Sequence, residues 1–85
     1  MTTSASAYVT YDLAGDALYV YLMSQETQID HTDELGDHRI VDFDSQGRVI
    51  GVEFLNASHG IDLSGIPEAE RVAAAIRSLP QLASA

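Results

Sequence analysis

The sequence predicts an α+β fold: an antiparallel β-meander of four to five strands with one C-terminal helix packed on one face. Three observations predict it. Apolar residues alternate with period two in short runs, turn-forming residues punctuate those runs, and one stretch near the C-terminus changes to three- and four-residue spacing.

The first strand is Tyr8–Asp12, rich in aromatic and β-branched residues that suit a pleated, half-buried surface. Leu13–Asp16 supplies a turn through Gly15 and Asp16, and Asp12 and Asp16 are placed to cap it. Ala17–Met23 is the clearest strand. Its Leu18, Val20 and Leu22 share one face, and Ala17, Tyr19, Tyr21 and Met23 share the other. Neither face is charged, which predicts a central strand covered on both sides. Thr27–Asp30 reads as a short strand, and His31–Asp37 as a polar acidic loop. His38–Phe43 is the next strand, Asp44–Gly47 a hairpin turn with Gly47 at the positive-φ position, and Arg48–Leu55 the last strand. Within it Ile50, Val52 and Phe54 share a face, and Gly51 predicts a bulge or a close approach. Asn56–Gly60 breaks the strand, and Ile61–Leu63 continues as an extended connector. Pro67 opens a helix with Glu68 and Glu70 in its first turn. Ala69, Val72, Ile76 and Leu79 then mark an amphipathic stripe from about Pro67 to Leu79, ended by Pro80.

Size and charge bound the function. The chain has 85 residues, read as a single domain over residues 8–80 with disordered tails at 1–7 and 81–85. A domain this small buries roughly 60–65% of its unfolded surface, so it gains from an additional support. With no cysteine, that support is neither a disulfide nor a thiolate metal site, which leaves a second copy of the chain. One helix shields one sheet face, so the face carrying Tyr19, Tyr21 and Met23 predicts a homodimer with an isologous interface. Four arginines, no lysine and thirteen carboxylates give a net charge of −9. That charge repels nucleic-acid phosphates and anionic membrane surfaces; it is compatible with a basic protein partner and equally with plain solubility. No apolar run reaches the ~20 residues of a membrane span, and the N-terminus lacks a basic-then-apolar leader, so a cytoplasmic location is expected.

Three segments together carry a family resemblance: Tyr11–Leu22 (YDLAGDALYVYL), Ile40–Leu55 (IVDFDSQGRVIGVEFL) and Asn56–Ser58 (NAS). The chain resembles the domain of unknown function 2283 family of small bacterial proteins, over about Tyr8 to Ser58. The resemblance implies no established activity and no catalytic residues. It also implies an association with the gene neighbourhoods of small toxin-like proteins, which is context and not chemistry.

Four constellations bear on chemistry. Asp42, Asp44, Gln46, Gly47, Val49 and Glu53 match the spacing of a calcium loop. A strand rises ~3.3 Å per residue, however, and carries Glu53 away from Asp42 instead of curling it back. His31, Asp33, His38 and Asp42 could supply nitrogen and oxygen ligands to a divalent cation, but the loop between them fixes no geometry. The weak metal candidates are therefore Asp42, Asp44, His31 and His38, and no cofactor is assigned. Ser58 and His59 adjoin in a turn without a nucleophile elbow or oxyanion-hole pattern, and no glycine-rich phosphate loop is present, so no catalytic residue is assigned.

The expected function is a non-catalytic, dimeric protein-interaction module, in the sharpest form the acidic neutralising partner of a small basic toxin-like protein. The expected contacts are Tyr19, Tyr21, Met23, Glu26, Asp30, Asp33, Glu34 and Asp37, because Glu26 to Asp44 holds seven carboxylates against Arg39 alone. The alternative is a small-ligand or divalent-metal-binding protein with a site between sheet and helix or at a dimer seam. An enzyme ranks last, since it needs convergent titratable groups in a pocket.

Overall fold

In the computed structural model, which describes residues 7–78, five strands form one antiparallel sheet with a single α-helix on one face. The strands are β1 (Tyr8–Asp12), β2 (Ala17–Tyr21), β3 (His31–Glu34), β4 (Arg39–Phe43) and β5 (Val49–Leu55), followed by a 3-10 turn at Ala57–His59 and α1 (Ala69–Arg77). Their spatial order is β1-β2-β5-β4-β3. The sheet is thus a β1–β2 hairpin and a β3–β4–β5 meander, joined where β2 pairs with β5. The expected tails at 1–7 and 81–85 lie outside the described residues except for Ala7, as do Leu79 and Pro80.

The core follows the alternation of the strands. Leu18, Val20, Val41, Val52 and Phe54 are at most 2% exposed, and Val72 and Ala75 of α1 close over them. The helix sits against β1 and β2. The connector covers the rest of that face through Ile61, Leu63 and Ile66. Arg39 ties the connector down: its guanidinium donates to the Asp62 carbonyl at 3.1 Å and to the Ser64 carbonyl. Those bonds convert an exposed loop into part of the hydrophobic cover.

The turns behave as their residues dictate. Gly47 adopts φ 80° and its N–H donates to the Asp44 carbonyl at 3.0 Å. In the first hairpin the left-handed residue is Asp16 (φ 52°), one position after Gly15; Asp is among the few non-glycine residues that enter that region.

Three expectations need correction. The acidic stretch His31–Glu34 is a strand, and Thr27–Asp30 is not. Ser24–Thr27 instead forms a turn, closed by Thr27 N–H to the Ser24 carbonyl at 3.0 Å. β3 is an edge strand exposed along its whole length, so it carries no apolar alternation to betray it. The helix starts at Ala69 instead of Pro67, because Glu68 sits in the left-handed region (φ 60°) and acts as the N-cap residue. Met23, which alternation assigns to the tyrosine face, lies beyond the end of β2 and lines a cavity with Leu22, Phe43 and Pro67. Alternation holds only while the chain remains extended.

Candidate functional site

The open face of the sheet is built from the odd-numbered residues of β2 and their cross-strand partners. Tyr8 pairs with Tyr21, and Tyr21 with Gly51; Gly51 pairs with Asp42, and Asp42 with Thr32. Residues in register point to the same side, so this row crosses all five strands. The parallel row holds Thr10, Tyr19, Glu53, Ile40 and Glu34.

Aromatic packing fills the row. The Tyr8 and Tyr21 rings stack with centroids 4.8 Å apart, and Tyr19 tilts against Tyr21 at 4.4 Å. Tyr19 then leans over Gly51, where a side chain would collide. A Cβ at Gly51 would stand 2.6 Å from the Val20 carbonyl oxygen and 2.7 Å from the Tyr19 hydroxyl. Both features that a strand glycine predicts are present, since the β4–β5 register also shifts between Asp42 and Phe43.

Beyond Gly51 the Tyr19 hydroxyl donates to Asp42 Oδ2 at 2.6 Å, and Thr32 Oγ1 donates to Asp42 Oδ1 at 2.6 Å. Asp42 is only 8% exposed, so these two donors replace the water its carboxylate has lost. Burial, and then the bond to Asp42, push the Tyr19 hydroxyl far above its ordinary range, which keeps it a proton donor at every working pH. The arrangement is a hydrogen-bond network in which both Asp42 oxygens accept a side-chain hydroxyl.

A second cluster stands at the end of the first hairpin. Asp16 Oδ1 accepts the Tyr11 hydroxyl at 2.7 Å and the Ser58 N–H at 2.9 Å, and Oδ2 accepts the Ser58 hydroxyl at 2.7 Å. His59 Nδ1 lies 3.9 Å from Oδ2. The Ser58 hydroxyl, followed by that of Tyr11, holds the Asp16 carboxyl below the usual carboxylate range. A carboxylate so stabilised is a poor base. The Ser58 hydroxyl donates to it directly, so the cluster clasps the first hairpin turn to the residues that follow β5.

The remaining predicted site residues are dispersed. Asp44 folds into its own turn, accepting the N–H groups of Gln46 and Arg48 and the Arg48 Nε, each at 2.9 Å. His31 stacks on Phe43 at 4.8 Å beside Asp30, while His38 is at the opposite end of the β3–β4 hairpin, lining a cavity of about 470 Å³ with Asp37 and His59. Asp42, Asp44, His31 and His38 are therefore not brought together, and among the described residues no group of three His, Asp or Glu side chains could hold a metal ion. Glu26, Asp30, Asp33, Glu34 and Asp37 are all exposed, and they line β3 and its flanking loops as one acidic edge.

The chain matches the family described as Protein of unknown function (DUF2283) over residues 8–58. The chain belongs to the DUF2283 family. No curated protein and no solved structure matches it significantly. The DUF2283 match spans all five strands and ends at Ser58, the residue that Asp16 grips. The clasp explains why two segments far apart in sequence belong to one pattern: the first hairpin turn and the end of β5 are bonded to each other. In the sequence Asp16 and Ser58 are separate turn residues, and no local spacing signals a bond across 42 positions. Nor does any spacing link Thr32 to Asp42. The helix α1 lies outside the DUF2283 match, and no helix among the described residues is long and apolar enough to cross a membrane.

Proposed function

We propose that this protein is a non-catalytic interaction module that pairs with a second copy of itself through the tyrosine face and receives a basic protein along the acidic β3 edge. The observation that carries this reading is the asymmetry of cover. Helix and connector shelter one side of the sheet, while Tyr8, Tyr19, Tyr21, Ile40 and Leu55 lie part-exposed on the other. Tyrosine offers large rigid contact area at small entropic cost and is enriched where proteins meet. The rings are already ordered by their neighbours, so little freedom is lost on docking. The locked Asp42 network and the depressed Asp16 carboxyl support a role without catalysis.

The acidic edge supports the second contact. Its carboxylates flank a strand whose outer side pairs with no other strand among the described residues, an edge that an extended basic segment can join by strand addition. The net charge of −9 makes a small basic protein the partner class to test.

Analytical ultracentrifugation of the full chain tests the pairing. At about 100 μM it is expected to sediment at twice the 9.2 kDa chain mass, and Ile40→Lys, on the tyrosine face, at the single mass. A folded wild-type monomer at that concentration overturns the dimer. The basic partner is tested by co-purification with the adjacent gene product at low salt and its release at high salt; the absence of a complex removes that half of the reading.

A further inference from the structure

A cavity of about 690 Å³ opens where β2 ends, the β4–β5 turn closes and α1 begins. Leu22, Met23, Phe43, Val49 and Pro67 give it an apolar lining. Arg48 and Arg71 also line it, two of the four arginines in a chain of net charge −9, and Ser24, Gly47 and the Glu68 carboxylate complete the lining. We infer that this cavity binds a small organic anion, a carboxylate carried on an apolar body.

The two guanidiniums are positioned but not consumed. Arg48 uses Nε on Asp44 at 2.9 Å, and its terminal nitrogens meet no partner among the described residues. Arg71 Nη2 donates to the Leu22 carbonyl at 3.2 Å, which anchors the group beside the cavity. Its Nη1 lies 3.8 Å from Glu68 Oε1, a half-exposed pair that water screens and a ligand carboxylate can displace at small cost. The other nearby carboxylate, Asp44, is occupied by three donors of its own turn.

Cavities of several hundred Å³ with apolar walls and a few polar groups are the usual form of small-molecule sites. The planar guanidinium matches a carboxylate in shape and charge. A bare inorganic ion would leave the apolar wall wet, and a neutral hydrocarbon would gain nothing from either arginine. A carboxylate on a hydrocarbon or aromatic body satisfies both parts. The site does not involve the tyrosine face, so it stands whether the chain is a monomer or a dimer.

The test uses the full chain and three probes: octanoate, its neutral analogue octanamide, and acetate. Octanoate is expected to give saturable shifts of the Met23 and Val49 methyl resonances, with octanamide and acetate each binding at least about fivefold more weakly. Arg48→Gln is expected to weaken octanoate about fivefold while the far-ultraviolet circular dichroism spectrum stays that of the folded chain, any loss of the Arg48 Nε bond to Asp44 showing separately as a lower melting temperature. Failure of octanoate to saturate, equal binding of octanamide, or unchanged affinity in the Arg48→Gln protein each overturns the inference.

Discussion

The two faces of this sheet are stabilised by different physics. On the covered face Leu18, Val20, Val52 and Phe54 are removed from water by a helix and a connector, and the cluster contains no titratable group. On the open face the side chains shelter one another: tyrosine rings stack sideways, and Tyr19 and Thr32 satisfy the Asp42 carboxylate. The first arrangement depends on volume and tolerates no loss of it. The second depends on fit and hydrogen-bond partners, and leaves a surface that is ordered before anything docks on it. A thin sheet can therefore keep one face open without that face being a defect.

That contrast can be broken from either side. The largest effect is expected on the covered face, where Phe54→Ala empties a site that is 2% exposed. The cost should be about 3–5 kcal/mol, most of the stability of a domain this small, and urea unfolding followed by circular dichroism measures it. Gly51→Ala attacks the open face through its floor. The added methyl would press on the Val20 carbonyl and the Tyr19 ring, and a loss of about 2 kcal/mol is expected. Adding Tyr19→Ala should recover only part of that loss, because the carbonyl stays in place. A double-mutant cycle reads the shared part. Tyr19→Phe is milder. It keeps the ring and strips Asp42 Oδ2 of its donor, for about 1–2 kcal/mol in the same urea experiment.

The smallest effect is with pH, and it belongs to the turns and the connector. Asp16, Asp44 and Asp62 are held below the usual carboxylate range, in the first place by the Ser58 hydroxyl, the Arg48 N–H and the Ser64 hydroxyl respectively. A carboxyl whose folded value lies below its unfolded value of about 3.9 stabilises the fold above that value and loses the contribution as pH falls through the folded one. The urea midpoint should therefore be insensitive to these groups from pH 7 to about 5 and decline below about 4. Asp16→Asn should flatten that decline, and an unchanged acid limb in the variant would show that the clasp carries none of it.

What the sequence revealed and what it hid divide along the same physical line. Strands with a buried face are legible from alternation, so β2, β4 and β5 emerge within a residue or two, while β1, which has no buried residue, is legible from its aromatic and β-branched composition. β3 is not, because an edge strand exposed on both faces has no apolar period to read. The helix stripe was visible in Val72 and Ile76, but its start was misplaced by two residues, since a left-handed Glu68 has no compositional signature. At the candidate site, the uncovered tyrosine face followed from counting helices against faces. The partners of those tyrosines did not. Tyr19 to Asp42 and Asp16 to Ser58 span 23 and 42 positions, and only the pairing of β2 with β5 brings them together.

The β2–β5 seam is also the long-range step of assembly, joining pairings that are otherwise local. The hairpin and the three-stranded meander on either side of it are each made of local pairings and can form on the microsecond timescale of short-range contacts. Joining them closes a long loop before any reward is collected. The slow step in refolding should thus be the docking of two preformed pieces, with the Asp16–Ser58 bonds fastened last.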